Sequence, residues 1–382
     1  MFSSKLPQTG TTIFTVMSSL ASEYCAINLG QGFPDFPMDP QLTEAVNKAM
    51  KDGYNQYVHM AGYMPLRENI AIKIQKLYGI EVDPGSEITI TPGGTYAIYS
   101  AITASIGPGD EVIIFEPVYD SYVPNILVNG GVAIPVSLNF PDYSIPWEKV
   151  REKLSPKTKM ILINSPHNPT GAVLKREDLD ILAEITRNTE ILVVSDEVYE
   201  HLVFDGRDHQ TILSHPELRQ RGFAIYSFGK TYSCTGWKIG YCVAPPLFTQ
   251  ELRKVHQFNA FSTNSPMQVG LAGYLAENTS YLDLANDMQK RRDHLRSALK
   301  DTGFECIPSS GSYFECYSYA SLSALPEMSM AERLVQEAGV ATIPVSAFYL
   351  FGENHQVLRF CFAKKMETIT EASERLVRWS KG

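Results

Sequence analysis

Seven short apolar runs punctuate the chain between residues 87 and 243, and they constrain its fold more than any other feature. They are Glu87 to Thr91, Glu111 to Phe115, Val132 to Val136, Lys159 to Ile163, Glu190 to Val194, Phe223 to Tyr226 and Ile239 to Val243. Apart from the first, where Ile88 and Ile90 alternate with threonines, they are apolar without polar alternation, and the set reads as strands buried on both faces. Helical patterns separate many of them. Buried strands alternating with helices predict an α/β fold, a mostly parallel seven-stranded sheet sandwiched by helices. Ligands of such sheets bind beyond the carboxyl ends of the strands, so the polar residues just after each run are the functional candidates.

The bulk composition narrows the classes. A chain of 382 residues can hold two domains and a large core. A formal net charge of -9 argues against sequence-independent nucleic-acid binding, which needs a basic surface. Six cysteines without a Cys-x-x-Cys pair read as reduced thiols in a cytosol, not as a zinc site or a disulfide framework. The start, MFSSKLPQTG, lacks the apolar core of a secretory signal, and no apolar run reaches membrane-spanning length. The expectation is a cytoplasmic protein without metal, membrane or nucleic-acid partner.

Past the run at 87–91 come Pro92-Gly93-Gly94-Thr95 and a helix from Tyr96 to Ala104. That order turns free backbone N–H groups and a positive helix end toward an anion such as phosphate. A tight turn capped by Thr95 fits the same residues. Past 111–115, Tyr119 can stack on a planar ligand or simply pack on a loop. Past 159–163, the prolines of Asn164-Ser165-Pro166-His167-Asn168-Pro169-Thr170-Gly171 fix the Asn168 amide as a donor, while His167 reads as structural. Past 190–194 comes Ser195-Asp196-Glu197-Val198-Tyr199. Asp196 is either the N-cap of a helix or an anion opposite a buried cation. Tyr199, on the same helix start, can reach a second ligand atom.

The run at 223–226 leads into Ser227-Phe228-Gly229-Lys230, and Lys238 follows Gly236 and Trp237. A lysine lifted from a strand end into an interior suits imine chemistry, because burial favours its neutral amine; a solvated loop lysine is the plain alternative. Gly229-Lys230-Thr231 also resembles the end of a phosphate-binding P-loop. That motif requires glycine at 224, where Ala224 stands, which excludes it.

Outside the runs, helices are predicted at Thr11 to Ala21, Leu42 to Met50, Leu66 to Tyr78, Phe248 to Phe258, Pro266 to Ala276 and Tyr281 to Leu299. Asn28 to Pro37 is a glycine- and proline-rich loop whose backbone can pass close to a ligand. Beyond 300 come a strand at Tyr313 to Tyr317, a helix at Met330 to Ala338, strands at Val340 to Pro344 and Val357 to Ala363, and a last helix at Thr368 to Trp379. Residues 40–285 form a large domain, and 1–39 with 286–382 a smaller α+β one. Arg359 interrupts the apolar strand at 357–363. A buried arginine needs a partner, either an internal acid or an external carboxylate held by two hydrogen bonds.

Few ligands want a strand-end lysine, an anion nest, an acid, a stacking aromatic, an amide with a phenol, and a carboxylate-clamping arginine. Pyridoxal 5'-phosphate does. The chain also resembles the class I/II, fold-type-I aminotransferases, and within them the methionine and kynurenine (glutamine transaminase K-like) branch. The likeness runs nearly end to end: Lys5-Leu6-Pro7, GQGFPDF, NQY, NSPHNPTG, SDEVYEH, SFGKTYSCTGWKIGYCVAP and RFCFAKK.

The resemblance implies that Lys230 bonds the cofactor aldehyde and shuttles the proton, and that Asp196 pairs with the ring nitrogen. Asn168 and Tyr199 would hold the ring hydroxyl oxygen, and Tyr119 would stack on the ring. Gly94, Thr95, Ser227 and Lys238 would hold the phosphate, joined by Tyr57 of the partner subunit in a homodimer. Gly32, Asn168 and Arg359 would bind the substrate carboxylate, and Phe14, Phe33, Tyr119 and Tyr63 of the partner subunit would line the side-chain pocket. The family usually has arginine where Lys238 stands, and an aliphatic residue or alanine where Cys234 stands. Lysine still offers phosphate a charge, and Cys234 is small enough to pack.

The implied activity is a ping-pong transfer of the amino group of methionine and aromatic or large apolar amino acids to 2-oxo acids. A cysteine-conjugate or cystathionine β-lyase of the same fold and a non-catalytic ligand-sensing module are the rivals.

Overall fold

The computed structural model describes residues 3–7 and 9–382; residues 1, 2 and 8 of the predicted N-terminal arm lie outside the described residues. In chain order the strands are β1 (Ile27–Asn28), β2 (Ile88–Thr91), β3 (Glu111–Glu116), β4 (Val132–Ser137), β5 (Thr158–Asn164), β6 (Leu192–Asp196), β7 (Gly222–Ser227), β8 (Gly240–Val243), β9 (Glu305–Ile307), β10 (Phe314–Ser318), β11 (Val340–Ala341), β12 (Ile343–Pro344) and β13 (Val357–Cys361).

Strands β2 to β8 are the seven predicted runs, joined in the order β2-β8-β7-β6-β5-β3-β4. All neighbours are parallel except β8, which is antiparallel to both β2 and β7. Successive strand residues face opposite sides. Val112 and Ile114 accordingly pack in one layer with Met160 and Leu162, while Ile113 and Phe115 pack in the other with Ile161 and Ile163. Pro135 is tolerated because β4 is an edge strand, where a missing N–H breaks no ladder.

The helices that matter for the site are α1 (Ile13–Glu23), α2 (Pro40–Lys51), α3 (Met64–Tyr78), α4 (Gly94–Ser105) and α5 (Tyr122–Val128). A third buried cluster joins α1 to the C-terminal part of the chain: Met17, Ala21 and Leu29 pack with Leu295, Val340, Ile343, Phe360 and Leu376. There β12-β13-β10-β9 form an antiparallel sheet, and β1 pairs with β11 in parallel.

Several local expectations need correction. The predicted strand Val340 to Pro344 is two short strands belonging to different sheets, because Thr342 between them breaks the run of pairing. Asn28, expected in a loop, ends β1 through its pairing with Ala341. The helix expected from Tyr281 begins at Leu284 after a short 3-10 turn. No helix starts at Asp196: that residue is the last of β6, and a turn at 198–201 follows.

Candidate active site

The carboxyl ends of β2, β3, β5, β6 and β7 lie along one edge of the sheet, and β8, running the other way, begins there. This is why Lys238 precedes its strand while the other candidates follow theirs. A cavity of about 310 Å³ opens at this edge. Gly94, Thr95, Tyr119, Asn168, Asp196 and Tyr199 line it from the sheet side. Ser227, Lys230 and Lys238 line its floor, and Phe14, Gly32, Phe33 and Arg359 close it from the other core cluster. Tyr57 and Tyr63 do not line it in their own chain. Tyr57 is 79% exposed and packs edge-on against Phe261, and the Tyr63 ring lies near Tyr54.

Lys230 rides on a single helical turn, Phe228–Thr231, directly after β7. Its Nζ donates to Gly32 O at 3.0 Å and lies 5.3 Å from the centre of the Tyr199 ring and 5.6 Å from that of Tyr313. Tyr313 Oη donates to Lys230 O at 2.6 Å, tying down the backbone beneath it. Burial pulls the Lys230 ammonium down to about 8, and the nearby cations Lys238 and Arg359 act in the same sense. Lys230 is half-buried and lines the cavity, which favours the interior reading over a solvated loop lysine.

Asp196 is buried. Its Oδ2 accepts from Tyr122 Oη at 2.6 Å and its Oδ1 from Val198 N at 3.3 Å. Burial pushes its carboxyl up to about 6, with the Tyr122 and Val198 hydrogen bonds working against the rise. Asn164 Nδ2 donates to Asp196 O, and Asn164 Oδ1 accepts from Asn168 N, each at 2.8 Å. One asparagine thus fixes both the acid's strand and the proline-locked turn.

Arg359 is fully buried on β13. Its Nη1 donates to Asn168 Oδ1 at 2.8 Å and its Nη2 to Gly30 O. Its Nε is buried without a partner, and among the described residues no carboxylate pairs with it. The Phe314 ring lies 3.9 Å from the guanidinium carbon, with Phe14 and Phe348 beyond 5 Å. Burial lowers Arg359 to about 10, so it remains a cation at neutral pH.

The anion nest takes a different form from a threonine cap. Gly93, at φ +84°, holds the N-cap position of α4, and no side chain caps the helix; Thr95 lies inside its first turn. The first N–H groups of α4 therefore remain free for a ligand. Lys238 Nζ is close enough that a Cβ on Gly93 would lie 3.5 Å from it. On Gly94 a Cβ would meet Val198 Cγ1 at 2.7 Å, so only glycine leaves this cradle open.

The sequence reading missed Tyr122, Asn164, Gln31 and Phe314. Asn164 stood inside a recognised motif without a role, and Tyr122 lay one helical turn past Tyr119, the only hint available. The arrangement suits one kind of guest. An uncapped helix end beside a lysine takes a phosphate, a depressed amine takes an aldehyde, and a buried acid takes a protonated ring nitrogen. Phe14, Phe33 and Tyr119 leave apolar surface beside a free guanidinium edge. The residues present fit pyridoxal 5'-phosphate.

Comparison with known proteins agrees. Residues 25–376 match the family model described as aminotransferase class I and II. The chain is 46% identical to the methionine aminotransferase of Escherichia coli (strain K12), over 98% of this chain and 97% of that one. It is 32% identical to kynurenine–oxoglutarate transaminase 1 of Homo sapiens, over 94% of each. Its fold superposes on the crystal structure of YbdL from Escherichia coli, reported with a methionine aminotransferase function, at a TM-score of 0.97 and 46% identity, covering 99% of both chains. It superposes on an aspartate aminotransferase of Thermus thermophilus at a TM-score of 0.91 and 28% identity, covering 99% of both. The chain belongs to the class I and II aminotransferases, enzymes of fold type I that work with pyridoxal 5'-phosphate.

Proposed function

We propose that this enzyme moves the amino group of methionine and of aromatic or large apolar amino acids to 2-oxo acids, in two half-reactions that share one site. The observation that carries the reading is the meeting, in one cavity, of a lysine amine depressed to about 8 and a buried guanidinium whose Nε has no partner.

Pyridoxal 5'-phosphate, when bound, supplies a conjugated ring that can accept the electron pair of a broken Cα–H bond. The chain does the rest. Gly94, Thr95, Ser227 and Lys238 hold the phosphate, Tyr119 covers the ring face, and Asn168 and Tyr199 hold the ring hydroxyl oxygen. Asp196 keeps the ring nitrogen protonated. Lys230 would hold the cofactor through its aldehyde carbon, and its Nζ, in the same cavity, is the base placed to take the α-proton of the substrate and to return one. Proton transfer by a positioned base is worth ~10²- to ~10⁴-fold. Gly32, Asn168 and Arg359 hold the substrate carboxylate.

The side-chain pocket draws on Phe14, Phe33 and Tyr119, and among the described residues no second arginine lines the cavity to meet a second carboxylate. The similarity to a methionine aminotransferase supports the same choice. We further read the enzyme as a homodimer in which Tyr57 and Tyr63 serve the neighbouring site. The exposed aromatics Tyr57, Phe258 and Phe261 support an interface there. In this reading 40–285 is the cofactor-binding domain, 1–39 with 286–382 is the smaller one, and the free cysteines support a reducing cytosol. A screen of amino donors against several 2-oxo acids tests the proposal. Methionine and phenylalanine should lead, and aspartate far ahead of both would overturn it.

A further inference from the structure

On the opposite face of the sheet from the cavity lies a buried polar network that none of these roles uses. Within β6 and β7 successive residues face opposite sides, so Asp196 and Ser227 point toward the cavity while Ser195 and Tyr226 point to the far side, where the turn after Asp196 also places Glu197 and Glu200. Asp196 and Tyr199 are followed by Glu197 and Glu200; Ser227 is preceded by Tyr226; Lys238 leads into the strand that carries Tyr241.

Glu197 is wholly buried, at 0% exposure, and both its oxygens are saturated. Its Oε1 accepts from Ser195 Oγ at 2.8 Å and Ile212 N at 3.0 Å, and its Oε2 from Tyr226 Oη at 2.9 Å; His209 Nε2 lies 2.9 Å from Oε2. Glu200 pairs with Lys73 of α3 and accepts from Tyr78 Oη at 3.0 Å and Tyr241 Oη at 3.2 Å, with His201 Nε2 at 3.3 Å. Lys73 Nζ also donates to Tyr241 Oη at 2.8 Å. The Tyr226 and Tyr241 rings stack at 4.9 Å, closing the network across β7 and β8.

Buried ion pairs of this kind are poor investments for stability alone, since well-packed apolar replacements are often neutral or stabilising. What they do supply here is fixed geometry. The segment after Asp196 is a turn with few backbone bonds: Glu197 N to Ile225 O of β7 at 2.8 Å, Glu200 N to Glu197 O at 2.9 Å and Leu202 N to Tyr199 O at 2.8 Å. Beyond Glu197 N, the side chains of Glu197 and Glu200 tether it to β7 and β8 through Tyr226 and Tyr241.

We propose that Glu197 and Glu200 are positioning residues for the transfer reaction. They clamp the Asp196–Tyr199 turn to β7 and β8 and so set how Asp196, Tyr199, Ser227 and Lys238 converge on the cofactor. The proposal rests on the reading of the site given above.

The test measures Glu197→Gln, Glu200→Gln, Tyr226→Phe and Tyr241→Phe in the cofactor-loaded enzyme. Readouts are kcat, KM, the cofactor dissociation constant and the pH midpoint of the visible cofactor band. A misplacement of about 1 Å costs on the order of 100-fold in rate, so Glu197→Gln should lose ~10- to ~100-fold in kcat with KM little changed and the band midpoint displaced. The tyrosine variants, which keep ring volume and fold, should shift kcat and midpoint in the same direction by less. Wild-type midpoints and kcat in both tyrosine variants would overturn the proposal, as would kcat losses that only track the fraction of unfolded protein. A wild-type enzyme with no visible band would refute the site itself, a different failure.

Discussion

Tyr122 Oη donates a 2.6 Å hydrogen bond to Asp196 Oδ2. The two residues lie on different elements, the first turn of α5 and the last residue of β6, and both are buried. The bond stabilises the carboxylate where burial opposes it, so Tyr122, with the Val198 N–H, limits how far burial raises the Asp196 carboxyl.

The Tyr122 contact predicts a pH effect in the apoprotein. The Asp196 carboxyl titrates near 6 when folded against 3.8 ordinarily, so between those values the folded chain binds more protons than the unfolded one. Through Asp196, stability therefore falls as pH rises across that window and levels off above it. Tyr122→Phe removes a donor from a charged acceptor, worth about 1.5–3 kcal/mol, and raises the folded pKa further. The decline should then continue to higher pH. Melting temperatures of both apoproteins across pH 4 to 8 check this, and superimposed profiles would count against it.

In the proposed site, Asp196→Ala would remove one side of a buried charge pair with the loaded cofactor. Breaking such a pair costs about 3–5 kcal/mol, so the variant should hold cofactor loosely and turn over very slowly. Equilibrium dialysis and steady-state rates measure both. Near-normal transamination would remove Asp196 from its role.

Lys230 should be the lysine that captures the cofactor, and its capture should depend on pH. Its amine is depressed to about 8, so the neutral form grows as pH rises through that value while ordinary lysines stay protonated. Borohydride trapping of pyridoxal 5'-phosphate on the apoprotein, read by peptide mapping, should rise between pH 7 and 9. In Lys230→Ala no label should appear at this peptide; label there would contradict the assignment.

Arg359→Lys keeps a charge but loses the planar fork that bonds Asn168 Oδ1 and Gly30 O. One lost hydrogen bond to a charged group, at about 1.5–3 kcal/mol, corresponds to a KM for the amino donor ~10- to ~100-fold higher. A donor amine without a carboxylate should be unaffected. Equal losses for both would point to a damaged fold instead.

Gly32→Ala tests the tight wall of the substrate side. A Cβ there would lie 2.5 Å from Phe314 Cζ, so either the Phe314 ring or the Gly32 carbonyl that receives Lys230 must move. KM for methionine should rise more than cofactor affinity falls. The two titrations together check this, and an unchanged KM would show that the ring yields freely.

The sequence by itself determined the central sheet. Its seven apolar runs became seven strands within a residue or two, six of them largely buried as expected, while β4, at the sheet edge, leaves Val132 exposed. It also marked which segments end at the ligand edge, since glycines, prolines and charged residues directly after such runs have few other uses. It did not show the reversal of β8, the uncapped glycine start of α4, or the continuation of β6 through Asp196, for which a helix cap and an anion opposite a buried cation were both open. Those depend on pairing with strands distant in sequence. Nor could it show that Arg359 meets Asn168 across 191 positions, that Tyr122 reaches Asp196 across 74, or that Glu197 and Glu200 brace the turn from behind. Local sequence fixes which face a residue can present; only the folded chain decides what stands opposite it.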